Sequence, residues 1–170
     1  MTSIATQDKL SWSLRDADRT MRLFITAFLL LLTAGYVIGL VFVDHTTSGT
    51  PQGIAQNFRG TPENGQATEI KYPKSPAEIY TFLHNHILSL ALVFFAVGGI
   101  FYFTSMPHGP VKEFLLIEPF FAILTTFGGI WLMSYLSEYF SWVVLISGVS
   151  MIGCYLAMVI LILKDLWIRK

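Results

Sequence analysis

Cysteine is almost missing from this chain: Cys154 is the single one in 170 residues. One cysteine excludes an intrachain disulfide, a Cys-x-x-Cys-His attachment site for c-type haem, and any thiolate metal cluster. Charge is scarce as well, with 11 basic and 11 acidic residues making up 13% of the chain and cancelling to zero. A neutral chain lacks the basic footprint that nucleic acid needs, so no nucleic-acid partner is expected. A secretory signal is not expected either. Residues 1–22 are too long and polar for an n-region, and no small-x-small pattern closes the first apolar run.

What fills the chain instead is apolar: 54% of residues are hydrophobic and 15% aromatic. The excess falls in four runs, 23–43, 76–104, 114–136 and 142–163. Each reaches the roughly 20 residues that cross a bilayer's hydrocarbon as a helix. A lipid-exposed backbone must satisfy its own hydrogen bonds, so the expected fold is an all-α transmembrane four-helix bundle. The few charges orient it. Eight basic residues (Lys9, Arg15, Arg19, Arg22, Lys112, Lys164, Arg169 and Lys170) would share one side, against Arg59, Lys71 and Lys74 on the other. The positive-inside rule then puts both termini in the cytoplasm of a cell whose inner membrane holds the protein.

This topology divides the chain into a cytoplasmic interfacial segment 1–22, an extracytoplasmic loop 44–75, a cytoplasmic turn 105–113, an outer turn 137–141 and a cytoplasmic tail 164–170. Ser13-Leu-Arg-Asp16 reads as a capping box that starts the first helix before the membrane. Ser75-Pro-Ala-Glu78 is a stronger one, with proline at the first helical position. The loop is rich in Gly, Pro, Thr and Asn and cannot form a core alone. A loop this long is expected to be functional or docked, with Phe58 and Arg59 as its anchors. Tyr139, Trp142 and Trp167 suit the headgroup level, and His108 reads as a residue of the inner Pro-Gly turn.

Counting helical rise from the outer ends brings several small residues to one depth. Gly35 and Gly39 fall in span one, Gly128 and Gly129 in span three, and Gly148 in span four. At that level span two presents His84 and His86, and His45 closes span one beside Asp44. Small residues commonly serve close helix packing. The alternative is a pocket for a haem or a quinone head, with histidines from two helices as axial ligands. His45, His84 and His86, with Asp44, also form a donor set for copper or zinc. At about 100° per residue His84 and His86 point to nearly opposite sides of a helix, so one iron takes only one of them. His84 shares a face with Ala91 and Gly98, whereas His86 lies deeper. Against all of this stands the plain reading, in which the three are interfacial histidines bonded to water, headgroups or the loop.

Glu118, in "FLLIEPFF", is the other polar residue that stands out. If Pro119 opens the third helix, Glu118 is interfacial, and the 18 residues left still cross the membrane. If the helix starts earlier, Glu118 is an intramembrane acid and a possible proton site. The interfacial placement is the favoured one.

The segments "NFRG", "EIKYPKSPAEI", "HNHI" and "IEPF…GGIW" resemble a group of uncharacterised bacterial four-helix membrane proteins, over about residues 20–167. In helix count and histidine placement the chain is also similar to small b-type cytochrome membrane subunits. That resemblance implies a non-catalytic subunit of an oxidoreductase complex, with haem b or a quinone near the outer face. The rival expectation is a cofactor-free structural or assembly subunit. Its partners would be other membrane subunits or an extracytoplasmic protein, docked through the 44–75 loop. The topology has a direct check: a protease applied outside sealed cells should cut only within 44–78, and cleavage in the 105–113 turn would reverse the orientation.

Overall fold

The computed structural model describes residues 13–62 and 70–168. Lys9, Arg169 and Lys170 of the orientation count lie outside the described residues, as does the middle of the loop, 63–69. Five helices form: α1 Arg19–Thr47, α2 Pro51–Arg59, α3 Pro76–Tyr102, α4 Pro110–Tyr135 and α5 Phe140–Trp167. No strand occurs among the described residues. All but α2 are long and apolar enough to cross a membrane. One end of the bundle, the terminal end, carries the start of α1, the α3–α4 turn and the end of α5. The opposite, loop end carries α2 and the α4–α5 turn.

Packing centres on α5, which lies along α4 and also touches α3, α2 and α1. Phe94, Val97 and Phe101 of α3 meet Ile123, Phe127 and Met133 of α4 and Tyr155, Met158 and Ile162 of α5 in one buried core. The helix α1 is peripheral, with 11% of its apolar window buried against 44% for α4. The Tyr36 ring holds it by stacking on Tyr155 at 4.1 Å, and Tyr155 Oη lies 3.0 Å from Thr33 Oγ1. The outward faces, among them Leu31, Val41, Leu92, Phe95, Ile146 and Ile160, are apolar and exposed, as a lipid-facing surface requires.

The last carbonyls of a helix have no partner within it, and hydrocarbon offers no water to replace one. Here a basic side chain from elsewhere in the chain reaches every spanning helix at its C-terminal end. Lys71 Nζ donates to the Thr46 carbonyl at the end of α1 (2.5 Å). Lys112 Nζ donates to Thr104 (3.1 Å) and Met106 (3.0 Å), just past α3. Arg59 Nη1 reaches the Met133 carbonyl on the last turn of α4 (2.7 Å). Arg22 Nη1 reaches the Leu166 carbonyl of α5 (2.7 Å), while its Nε and Nη2 donate to Ala17 and Arg15. Positive charge at a helix C-terminus also favours the macrodipole. Buried Asp165 completes the terminal end, accepting from the Ser105 N–H and from Arg15 Nε, both at 2.8 Å.

Three local readings change. The Ser13–Asp16 box is present, but it opens a single 3-10 turn, Leu14–Asp16. The cap of α1 is Asp18, whose carboxylate accepts from the Met21 N–H. Within the loop, residues 51–59 form the helix α2, capped by Thr50 with Pro51 in the first turn. It buries Ile54, Ala55 and Phe58 on the bundle. Phe58 and Arg59 do anchor the loop, Phe58 edge-on to Phe82 and Arg59 on Met133. The approach of α2 to α1 is so close that a Cβ on Gly53 would sit 1.8 Å from the Thr47 carbonyl oxygen.

The helix start expected at Pro119, on which the interfacial reading of Glu118 rested, is overturned. Pro110, following Gly109, takes the first-turn position, and α4 runs through Pro119 without ending. An interior proline forgoes one backbone hydrogen bond at a cost of about 3 kcal/mol. Full burial of the Pro119 ring among its neighbours offsets part of that.

The helix-end ties are testable at Lys112, which is 1% exposed. Lys112→Met keeps the volume and leaves two buried carbonyls without a donor, so it should destabilise the fold by about 2–3 kcal/mol. Thermal unfolding in detergent measures this, and a wild-type melting temperature would show that the carbonyls find another partner.

Candidate functional site

Aromatic residues mark depth along the bundle. At the loop end Trp131 Nε1 donates to Tyr80 Oη (3.4 Å) and its ring packs on Tyr135. At the terminal end Trp167 Nε1 donates to Thr26 Oγ1 (3.0 Å), and Tyr102 closes α3. Tyr80 and Tyr102 stand about 33 Å apart along α3 by helical rise. That matches the thickness of a hydrocarbon layer.

Against this scale the two histidines of "HNHI" lie below the aromatic belt. From Tyr80, His84 is one turn deeper, about 6 Å, and His86 about 9 Å. Both are exposed, and so are Thr81, Asn85 and Ser89, which continue the same polar stripe on α3. His86 is the oriented member of the pair. Its Nδ1 lies 2.9 Å from the Phe82 carbonyl oxygen, which can only accept, so Nδ1 carries a proton and the ring's Nε2 edge is turned away from that contact. Its ring packs on Phe82 at 4.0 Å and on Phe127 of α4 at 5.7 Å. His84 has no hydrogen bond within the described residues. His45 is exposed on the last turn of α1, beside Asp44, and α1 packs on α5 and α2. Among the described residues no group of three or more His, Cys, Asp or Glu side chains is gathered to hold a metal ion. His108 is exposed in the α3–α4 turn against Tyr102.

The glycine layer resolves into one close contact. A Cβ on Gly35, Gly39, Gly128 or Gly148 would meet nothing within 4 Å, so these four do not thin the bundle where it packs. Gly129 does: a Cβ there would lie 3.0 Å from Val144 Cγ2 of α5. Adjacent residues on a helix point about 100° apart, and of the pair Gly128-Gly129 the second faces inward.

A second polar group lies deeper. Glu118 is about 20 Å from the level of Trp131 along α4, within the candidate membrane span Pro110–Tyr135. Ser150 Oγ of α5 donates to Glu118 Oε1. The other oxygen, Oε2, is buried with no hydrogen-bond partner. Cys154, one turn along α5 from Ser150, is the next polar residue on the same stripe. One turn nearer the loop end, Thr126 Oγ1 and Ser147 Oγ pair at 2.7 Å across α4 and α5. Sequence reasoning singled out Glu118 but missed Ser150 as its partner. The signal was available: Ser147, Ser150 and Cys154 recur at three- and four-residue spacing, one polar stripe on an otherwise apolar helix.

A transmembrane helical domain family, Aq_1264_TM, matches residues 48–170, more than half of the chain, and the protein belongs to it. The match takes in α2 through α5 and begins where the peripheral α1 ends. No curated protein and no solved structure matches the chain.

The two adjacent glycines separate packing from exposure. Gly129→Leu should cost about 1–3 kcal/mol by forcing Val144 aside. Gly128→Leu should change stability by less than about 0.5 kcal/mol or raise it. Paired thermal melts read the difference, and equal melting temperatures would mean that α4 is rotated relative to α5.

Proposed function

We propose that this member of the family is a non-catalytic subunit of a membrane electron-transfer complex. It would hold a b-type haem or a quinone head against His86, at the loop end of the bundle. The observation that carries this reading is the hydrogen bond from His86 Nδ1 to the Phe82 carbonyl. An imidazole that donates Nδ1–H to a backbone carbonyl presents Nε2 as a ligand, the arrangement that orients metal-bound histidines. The ring is held between Phe82 and Phe127, which limits its rotation. Its exposure at hydrocarbon depth supports the same reading, because polar groups at that depth rarely face lipid.

Haem, when bound, supplies the one-electron couple, and the protein's part is an axial nitrogen and an apolar wall. The bundle does not enclose such a group at this level, since Gly35, Gly39 and Gly128 face outward. A bound group would therefore sit at a boundary of the bundle, with His86 as the residue of this chain that would hold it. His45 is on a helix packed elsewhere, and His84 stands beside the site as a polar contact. The charge asymmetry of the sequence supports a reading in which this end faces outward from the cytoplasmic membrane.

A second reading is favoured by the loop. Ile70 and Tyr72 are 74% and 83% exposed outside the membrane zone, although the rest of the described loop is tied down. Beside them a cleft of about 380 Å³ is lined by Gln52, Gln56, Arg59 and Glu138. These features suit a cofactor-free subunit docked through residues 44–75.

Oxidised and reduced optical spectra of the complex, isolated from native membranes under mild detergent, separate the two. His86→Ala should abolish a reduced-haem band, and His84→Ala should keep it with a shifted potential. Full haem content in His86→Ala overturns the assignment of the ligand. A native complex without haem, quinone or metal overturns the electron-transfer reading and leaves the docking subunit.

A further inference from the structure

We propose that Glu118 is an intramembrane proton-binding site, which takes up and releases a proton at its buried oxygen Oε2. The inference rests on groups that the haem reading does not use. Oε1 is held by the Ser150 hydroxyl, while Oε2 is buried without a donor. A carboxylate charge at this depth carries a large desolvation cost unless a cation or several donors offset it. None of the described basic side chains does so. Lys112, the nearest on the same helix, is turned to the Thr104 and Met106 carbonyls at the membrane edge. The described salt bridge, Arg15–Asp165, is at the terminal end. A proton is then the species that neutralises the group.

The surroundings hold little else that ionises. From α5 the facing groups are Ser150 and the Cys154 thiol. From α3 the contact near this level is Gly98 against Leu116, neither of which titrates. On α4, Glu113 is exposed five residues away, at the edge of the membrane zone. Tyr36 of α1 stacks on Tyr155, the residue after Cys154, and Tyr155 Oη bonds to Thr33. Glu118 itself is only partly buried, so one side of the group is reachable from the lipid.

A hydrophobic carbodiimide, dicyclohexylcarbodiimide, reads this directly, since it reacts with protonated carboxyls from the lipid phase. The full chain in lipid vesicles at neutral pH should carry the adduct on the peptide containing Glu118. Labelling should fall as pH is raised and be lost in Glu118→Gln. The infrared difference spectrum, wild type minus Glu118→Gln, should show the C=O stretch of a protonated carboxyl. Should Glu118→Gln fail to fold, Ser150→Ala keeps the glutamate and should raise the frequency of that stretch by removing its hydrogen bond. A carboxylate band at neutral pH, or a protonated band unmoved in Ser150→Ala, overturns the proposal. Haem content plays no part in either readout, so this inference can fail while the electron-transfer reading stands.

Discussion

Four helix C-termini held by four basic side chains form the constraint on which the rest of the bundle depends. In water the terminal carbonyls of a helix are solvated without further provision. At a membrane boundary packed with side chains they are not, and each unpaired group costs free energy comparable to a lost hydrogen bond. Lys71, Lys112, Arg59 and Arg22 each come from a different segment than the helix end they serve. The ties therefore close the chain on itself as well as capping helices. Arg59 draws α2 onto α4, and Lys71 draws the second half of the loop onto α1. Arg22 pins the start of α1 to the end of α5, and Lys112 folds α4 back under α3.

The ties also explain why so little of α1 needs to be buried. Packing in a membrane has no hydrophobic drive between helices, so a peripheral span requires specific contacts. For α1 these are the Arg22 and Lys71 ties at its two ends and the Tyr36–Tyr155 stack between them. The family match begins at residue 48, so its common part is α2 to α5, built around α5. The loop helix α2 belongs to that part, as a lid over the α4–α5 end.

The sequence carried the all-helical membrane class in its hydropathy, because apolar runs of crossing length leave one structural solution. It carried the α3 cap as well, since Ser75 and Glu78 bond to each other's backbone N–H three residues apart. The α2 helix was less legible. Its Thr50-Pro51 start is a good signal, but Gly53 and the polar neighbours of residues 51–59 argue against a helix until the bundle supplies a surface. Glu118 failed for a related reason. Proline at position 119 normally opens a helix, and only tertiary burial lets α4 run through it. The glycine layer failed on azimuth: depth follows from counting residues, whereas the face turned inward is set by helix packing. His86 was legible in position but not in orientation, which depends on a backbone carbonyl one turn earlier.

Once structural roles are assigned, few polar groups in the membrane zone remain. Asp18, Glu78 and Asp16 cap helix or turn starts, and Asp165 binds the α3–α4 turn. The basic residues near the membrane edges hold carbonyls, and Lys74 lies over the Phe58 ring. Thr26, Thr33, Thr126 and Ser147 are each bonded within the bundle. What is left is the stripe of His84, Asn85 and His86 on α3, and the free oxygen of Glu118. Groups of this kind are costly in hydrocarbon, and of the histidine ring nitrogens here only His86 Nδ1 is hydrogen-bonded among the described residues. The histidines lie on the outside and near the belt, where a second protein or a bound ring system can meet them. Glu118 lies deep and turned towards α5, where a species as small as a proton fits. The two places differ in depth and in exposure, which is why the ligands proposed for them differ in size.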